Sequence, residues 1–410
     1  MTRAGFTAAV AIVAAIGIVF SATPARAQQT IEGFVAGYAD SEANDIVTTT
    51  AKVDGTIEGR YKLGAKVTID AISSASTPYN TTGEEQLVDA VSSASTSYTD
   101  QAETDPIGFV GGFSTGTGNE GILANEPNFS KSRVELSGYA GAEFGENEAT
   151  AGAIYSHEDI YQSATIYLTY LRYLALRNAT ISATYFHNFD TVDAKEEDIA
   201  AEVGYPKPKD VDGVSLTVSQ VLSRKTIGKV TGYYERESGA LQDPLREMYL
   251  IEGNDVYIVP EWLPTTLERY SVTGQINQGL WEGSSLQVSY RYYWDSWDIQ
   301  AHTLWGQWYQ YLSPQVLFSA FGRYYTQTSA KYWTPSITAL EGYYTASAQL
   351  QELQANAVGA RLWFLDGREA VPDFDLRAGI GFDYYTQNDR DYLVDGYDAV
   401  VLMANIAGSW

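Results

Sequence analysis

The C-terminal segment, Tyr397 to Trp410, constrains the fold of this chain more than any other part of the sequence. From Val400 onward every second side chain is apolar or small, and the segment ends on an aromatic residue. The apolar or small set is Val400, Leu402, Ala404, Ile406, Gly408 and Trp410. This period of two predicts a strand with one face in an apolar environment and the other in a polar one.

The N-terminus predicts export. Arg3 is followed by an apolar run of 13 residues, Ala8 to Phe20, and then by Ala25-Arg26-Ala27, which is a small-x-small cleavage site. The run is too short to cross a bilayer as a helix, which takes about 20 apolar residues. We therefore expect a signal peptide at residues 1–27 and a single mature domain at 28–410 without a transmembrane helix.

An exported chain that ends on such a strand resembles a bacterial outer-membrane β-barrel, whose assembly machinery reads the terminal aromatic residue. Trp410 is the expected assembly signal. The chain has no Cys, so its stability must come without disulfides, and its 31 Tyr and 9 Trp are typical of the aromatic girdles of barrels. An aromatic soluble β-sandwich is the alternative, but it does not explain the terminal segment.

Alternation inside the chain supports an all-β, transmembrane antiparallel barrel. It is clearest in Val214 to Gln220, Leu286 to Asp295 and Phe374 to Tyr385, where apolar and polar side chains take turns. Extending this pattern predicts about sixteen strands, with a range of 14 to 16. An even number returns the C-terminus to the side of the N-terminus, as single-chain bacterial barrels require.

The connections between these strands alternate between short and long, as expected for periplasmic turns and outer loops. Two connections, 156–159 and 296–297, are shorter than typical outer loops. With a two-residue connection at 296–297, Gln307 is predicted on the lipid face of its strand. The long loops concentrate the acidic residues of a chain whose formal charge of −25 becomes −27 once Arg3 and Arg26 leave with the signal peptide.

This charge makes nucleic acid a poor partner, whereas divalent cations and basic proteins remain plausible ones. Outer-membrane lipid and the barrel-assembly machinery are the partners that the fold implies. The acidic loops also have a simpler interpretation, in which they only keep the exterior solvated. The sequence does not choose between these alternatives.

The long connection 74–130 is the main irregularity, because loops of that length usually have a function or are disordered. It overlaps a repeat in which Asp70-Ala71-Ile72-Ser73 recurs as Asp89-Ala90-Val91-Ser92. Inward packing into the lumen, disorder and a weak Ca²⁺ site remain open. The Ca²⁺ candidates are Asp89, Asp100 and Asp105, although they lack the spacing of an EF-hand loop.

The paired motifs at 70–76 and 89–95, the segment 158–163 and the aromatic block 290–327 resemble an uncharacterised family of bacterial outer-membrane barrels known as a domain of unknown function. The resemblance covers roughly residues 34–410. The family has no established activity, so the resemblance implies none for this chain. Genes of the family often lie near those of small lipoproteins, thioredoxin-like proteins and flavin transferases, so the resemblance implies a periplasmic lipoprotein or redox protein as a possible partner.

The sequence indicates no catalytic site and no cofactor. The three His residues are far apart, and nucleophile motifs and phosphate-binding loops are missing. His187, beside Asn188 and Asp190, is the best catalytic candidate, but its parity places it on the lipid face. We interpret it as a girdle or loop residue.

Charged residues with inward parity are the better functional candidates, because the polar wall of a wide barrel sets its selectivity. The lumen-lining candidates are Arg291, Arg323, Arg361, Arg377, Asp295, Asp375 and Asp383. They predict either a channel for an unknown solute or a scaffold that holds a periplasmic partner at the outer membrane. Opposite charges that pair into a structural network, closing the lumen, are the third possibility.

Overall fold

The computed structural model describes residues 27–40, 44–74, 87–90, 119–122, 129–158, 161–193, 204–243, 247–347, 349–366, 375–389 and 398–409. Residues 1–26 of the predicted signal peptide lie outside these ranges. Ser92, Asp100, Asp105 and Trp410, which were named in the predictions above, also lie outside them. Twenty strands are present in the described part of the chain. They are β1 (Ala27–Asp40), β2 (Asn44–Ile57), β3 (Tyr61–Ser74), β4 (Leu87–Ala90), β5 (Asn119–Ile122), β6 (Phe129–Phe144), β7 (Asn147–His157), β8 (Tyr161–Leu174), β9 (Ala179–Val192), β10 (Lys207–Ser223), β11 (Thr226–Gly239), β12 (Glu247–Glu252), β13 (Asp255–Pro260), β14 (Thr266–Gly279), β15 (Ser284–Asp295), β16 (Gln300–Ser313), β17 (Val316–Gln327), β18 (Leu353–Asp366), β19 (Asp375–Asp389) and β20 (Asp398–Ser409).

Sixteen of these strands form one closed antiparallel barrel, which confirms the predicted fold class and strand number. Each barrel strand pairs with the next barrel strand along the chain, and β1 closes the sheet by pairing with β20 from Thr30↔Ser409 to Asp40↔Ala399. Closure leaves no unpaired edge strand in the barrel wall. Among the described residues there is no helix with the length and hydrophobicity that a membrane crossing requires.

The outer face of the barrel is apolar, as the alternation predicts. Large apolar side chains are exposed on it at every second position, for example Leu216 on β10, Ile380 on β19 and Leu402 on β20. The residues between them face inward and are mostly buried or half-buried. We define the loop end of the barrel as the end that carries the long connections and the terminal end as the end where β1 begins and β20 finishes.

A row of aromatic side chains covers part of the outer face near each end of the barrel. At the loop end Tyr270 stacks on Trp294 with ring centroids 5.4 Å apart, and Tyr292 continues the row to His302 at 5.1 Å. At the terminal end Trp308 packs edge-on against Phe318 at 6.0 Å, and Trp281 is exposed beside them. On β15, Trp294 marks the row at the loop end, and Leu286, which pairs with Trp308, marks the row at the terminal end. These two residues are eight positions apart, or roughly 26 Å along the strand. This spacing suits the apolar band of a membrane barrel.

The connection between β15 and β16 corrects one prediction. Asp295 lies opposite Ile299, whose carbonyl accepts a hydrogen bond from the Asp295 amide (3.1 Å), so three residues, 296–298, separate this opposed pair instead of two. The Asp295 carboxylate accepts hydrogen bonds from the amides of Trp297 (2.8 Å) and Ile299 (3.0 Å). The resulting register pairs Gln287 with Gln307. Gln307 therefore faces inward and is buried, so its predicted lipid-facing position was wrong. The cause is general, because a change of one residue in register reverses the face of every side chain in a strand.

The first copy of the repeat belongs to the barrel wall and not to the long connection. Asp70 and Ser73 lie on β3, where the Asp70 side chain is buried and accepts hydrogen bonds from Arg133 Nε (2.7 Å) and Thr48 Oγ1 (2.6 Å). Asp89 lies on β4, which pairs with β5 within the long connection. The two copies of the repeat thus lie in different structural environments.

Three loop-end connections pack together on one side of the barrel. The hairpin β12–β13 lies between β11 and β14, and the Ile251 amide donates to the Ile337 carbonyl in the connection after β17 (2.8 Å). Below them Leu263, Leu267, Trp297, Ile299 and Ala330 form an apolar cluster. Glu261, an acidic residue of the connection between β13 and β14, is buried and accepts hydrogen bonds from Thr345 Oγ1 (2.7 Å) and the Asp243 amide (2.6 Å). Part of the loop acidity is therefore structural.

Candidate functional site

Most inward-facing basic side chains are paired with carboxylates. Seven of them have a carboxylate oxygen within salt-bridge distance: Lys52, Lys62, Lys66, Arg133, Lys209, Arg269 and Arg361. One network joins three strands at the loop end, where Lys209 binds Glu237 (2.7 Å) and Arg269 contacts both Glu237 and Glu235. Arg361 and Asp383 form another pair at 3.2 Å. These groups support a structural function for many of the inward charges.

Arg291 and Arg323 differ from this pattern. They lie on the inward faces of β15 and β17, and neither forms an ion pair with any residue in the described part of the chain. Arg291 lies 5.9 Å from the centroid of the Tyr293 ring, and Arg323 lies 5.3 Å from that of Tyr325. The Arg291 Nε is buried without a hydrogen-bond partner. Among the described residues the two arginines are therefore positive charges on the inner wall without an ion-pair partner.

The remaining candidates have other surroundings. Asp295 is inward-facing but is engaged by the backbone of the turn that follows it and by the Tyr293 hydroxyl at 2.9 Å. Asp375 and Arg377 share the inward parity of β19 but lie at its terminal end, where both are exposed. The structure thus pairs Arg361 with Asp383, and it places Arg291 and Arg323 near each other on the wall of β15 to β17 without an ion pair to Asp295.

A repeated motif positions the two arginines, and the sequence analysis did not detect it. The segments Arg291-Tyr-Tyr-Trp-Asp295, Arg323-Tyr-Tyr-Thr-Gln327 and Asp383-Tyr-Tyr-Thr-Gln387 are related. In each segment the second Tyr faces inward, and its hydroxyl donates to the acidic or amide side chain two residues later, at 2.9, 2.5 and 2.7 Å respectively. A search for the Tyr-Tyr-x-acceptor spacing would have found it, because inward residues on one strand recur at every second position.

Several inward aromatic rings lie flat on the wall over glycines of the neighbouring strand. Five cross-strand pairs share this arrangement: Tyr139–Gly64, Tyr167–Gly152, Phe186–Gly213, Phe321–Gly359 and Trp363–Gly379. A Cβ at any of these glycines would lie 2.1 to 2.7 Å from the ring above it. Because the missing side chain makes room for the ring, the ring does not project toward the barrel axis.

The three His residues all lie outside the inward face. His187 and His302 point outward, with Nδ1 2.9 Å from Asp212 Oδ1 and 2.7 Å from the Tyr290 hydroxyl respectively, and His157 is exposed at the end of β7. Among the described residues no group of three His, Asp or Glu side chains could hold a metal ion. Asp100 and Asp105, two of the three Ca²⁺ candidates, are not among those residues.

Comparison with known proteins places the chain in a family. Residues 3–408 match the family described as "Protein of unknown function (DUF3570)". The chain belongs to this family. This assignment confirms the resemblance that the sequence motifs indicated, and the DUF3570 description gives no activity. The chain has no significant match among curated proteins.

Several solved structures are similar to this DUF3570 protein. A bacterial polysaccharide outer membrane secretin has 8% sequence identity and a TM-score of 0.43, with 93% of this chain and 97% of that chain covered. The outer membrane protein opdK from Pseudomonas aeruginosa has 7% identity and a TM-score of 0.42, with 94% and 99% covered. A loop-deletion mutant of OmpT from Vibrio cholerae has 8% identity and a TM-score of 0.39, with 93% and 100% covered.

Proposed function

We propose that this protein is a non-enzymatic outer-membrane channel whose barrel conducts small solutes. The carrying observation is the pair of arginines, Arg291 and Arg323, on the inner wall of a closed barrel, neither of which has an ion-pair partner in the part of the chain that the structure describes. A guanidinium that is not needed for an ion pair is a fixed charge that acts on passing ions, whereas charges on outer loops are screened within about 8 Å at physiological salt. The flat packing of the inward aromatic rings supports the proposal, because it keeps large side chains off the axis.

Location in the outer membrane is part of this proposal. The apolar outer face, the two aromatic rows and the expected signal peptide over residues 1–27 support it. All three His residues lie off the inward face, and this placement supports a protein without acid–base catalysis in the lumen.

Planar-bilayer recording of the purified protein tests the channel. We expect stable conductance, and we expect the permeability ratio of cations to anions to rise in the double variant Arg291→Gln/Arg323→Gln. Protein that does not conduct, with or without the connection 74–130, would overturn the proposal. In that case recovery of a periplasmic lipoprotein or redox protein with the barrel from native membranes would favour the alternative scaffold function.

A further inference from the structure

The inner wall of β15, β16 and β17 combines two guanidinium groups, which have no ion-pair partner among the described residues, with an aromatic ring between them. Arg291 lies on β15 and Arg323 on β17, two strands or about 10 Å apart. Trp305 lies on the inward face of β16, the strand between them, and its neighbours in register are Ser289 and Arg323. All three side chains are half-buried, so each keeps some contact with the lumen.

The hydrogen-bonding capacity of the two guanidiniums is unused by the described part of the chain. Each has five N–H donors in a planar fork, and none donates to a described residue. A fork of this kind matches the two oxygens of a carboxylate. The nearest acid along β15, Asp295, is already bonded to the Trp297 and Ile299 amides and to the Tyr293 hydroxyl.

Aromatic rings lie beside both arginines, and the neighbours of Arg323 in register, Trp305 and Ala357, are apolar. Tyr293 and Tyr325, which lie under the two guanidiniums, are anchored through their hydroxyls to Asp295 and Gln327. Tyr325 belongs to a cluster in which the rings of Tyr38, Tyr325 and Tyr385 pack on the small side chains of Ala355, Ala357 and Ala399. A preorganised cation next to an aromatic surface favours a ligand that has both an anionic end and an apolar body.

We propose that Arg291, Trp305 and Arg323 form a binding site for small carboxylates with an apolar body. The two guanidiniums bind the carboxylate, and the apolar body packs on the face of Trp305. This inference rests on the proposed channel and specifies the class of solute that it selects. Inorganic phosphate fits it less well, because phosphate offers charge but nothing to cover the indole ring.

The test measures binding and conduction separately on the full-length barrel. Isothermal titration calorimetry in detergent compares benzoate and hexanoate with acetate and phosphate. We expect both ligands with apolar bodies to bind more tightly than acetate, and benzoate to bind more tightly than hexanoate because its ring stacks on Trp305. Each of Arg291→Gln and Arg323→Gln should weaken benzoate binding roughly tenfold or more, since a hydrogen bond to a charged group contributes about that factor.

Two further variants make the result specific. Trp305→Ala should weaken benzoate binding several-fold and leave acetate binding unchanged. Lys229→Gln is the matched control, because Lys229 also faces inward but lies near the terminal end of β11, and benzoate binding should change less than about twofold. Heat-modifiable migration verifies that each variant is folded.

The outcomes separate this site from the channel. Benzoate binding that is lost in the arginine variants supports the site even if the bilayer shows no conductance. Acetate or phosphate binding as tightly as benzoate overturns the proposal, as does unchanged benzoate affinity in the folded Arg291→Gln/Arg323→Gln variant. In either of the last two cases a conducting barrel would leave the channel proposal intact.

Discussion

The Phe186 ring on β9 covers Gly213 on β10 so closely that a Cβ at Gly213 would lie 2.1 Å from the ring. Phe186 is almost fully buried in this position. The pair shows how the barrel keeps a large inward side chain against its wall. It also makes Gly213 intolerant of any side chain, although its backbone conformation does not require glycine.

Replacing Gly213 with Val should therefore destabilise the barrel. The added side chain displaces the Phe186 ring, and overpacking of this kind costs about 1–3 kcal/mol. Urea unfolding in detergent micelles measures the loss. Gly322→Val on β17 is the control, because nothing lies within 4 Å of a Cβ built there. The double variant Gly213→Val/Phe186→Ala should lose less stability than the two single changes added together, and strict additivity would contradict this account.

The buried pair of Asp70 and Arg133 should be important for stability. Asp70→Asn leaves Arg133 with a neutral partner in a buried position, and breaking a buried pair in this way costs about 3–5 kcal/mol. Lys52→Gln provides the comparison, since the Lys52–Asp54 pair is about a quarter exposed and its loss should cost less than about 1 kcal/mol. Both values come from the same urea titration. Equal losses in the two variants would argue against a special contribution from the Asp70 pair.

The turn at 296–299 should depend on the Asp295 carboxylate. Asp295→Ala removes the acceptor of two amide hydrogen bonds, and each such bond to a charged group contributes about 1.5–3 kcal/mol. We expect faster proteolysis at this turn and a lower midpoint of thermal unfolding. Asp295→Asn keeps one side-chain oxygen and should recover part of the loss. Asp298→Asn removes a mostly exposed charge in the same turn, keeps a side chain that tolerates the left-handed backbone there (φ 71°), and should have little effect.

Alkaline pH should weaken the packing of the connection before β10 through Tyr205. Burial, together with the nearby carboxylates of Asp243 and Glu261, raises the pKa of Tyr205 to about 12. The unfolded chain releases this proton near pH 10, so the contribution of neutral Tyr205 to stability is complete below about pH 10 and is lost as pH rises through about 12. Unfolding free energy measured from pH 8 to pH 12 should fall less in Tyr205→Phe than in the unmodified protein. If the unfolding free energy has the same pH dependence in both proteins, Tyr205 does not contribute to the loss of stability at alkaline pH.

The C-terminal residue should matter for assembly and not for export. Trp410→Asp places a charge directly after Ser409, the last residue of the closing strand β20, where the alternating sequence predicts an apolar side chain. We expect the variant to reach the periplasm, with signal-peptide cleavage visible as a change in mass, but to lack the heat-modifiable folded form. Trp410→Phe retains an aromatic ring and should assemble normally. Normal assembly of Trp410→Asp would remove Trp410 as an assembly signal.

The fold class follows from the pattern of the sequence. Alternation along segments such as Leu286 to Asp295 is a local property of one strand, and it settles which side chains share a face without any knowledge of the neighbouring strands. It therefore identified the inward parity of Arg291, Arg323 and Arg361 and the approximate number of strands. It did not identify the partners of these residues.

Only the tertiary structure decided those partners, because they depend on the register between strands and on the length of each turn. The three residues between Asp295 and Ile299 put Gln307 on the inward face, against the prediction from a two-residue turn. The register of β18 and β19 brings Arg361 to Asp383, whereas that of β15 to β17 brings no carboxylate to Arg291 or Arg323. Arginines with the same parity in sequence thus have different contacts in the wall, because an ion pair requires two strands to be aligned and not only one to alternate.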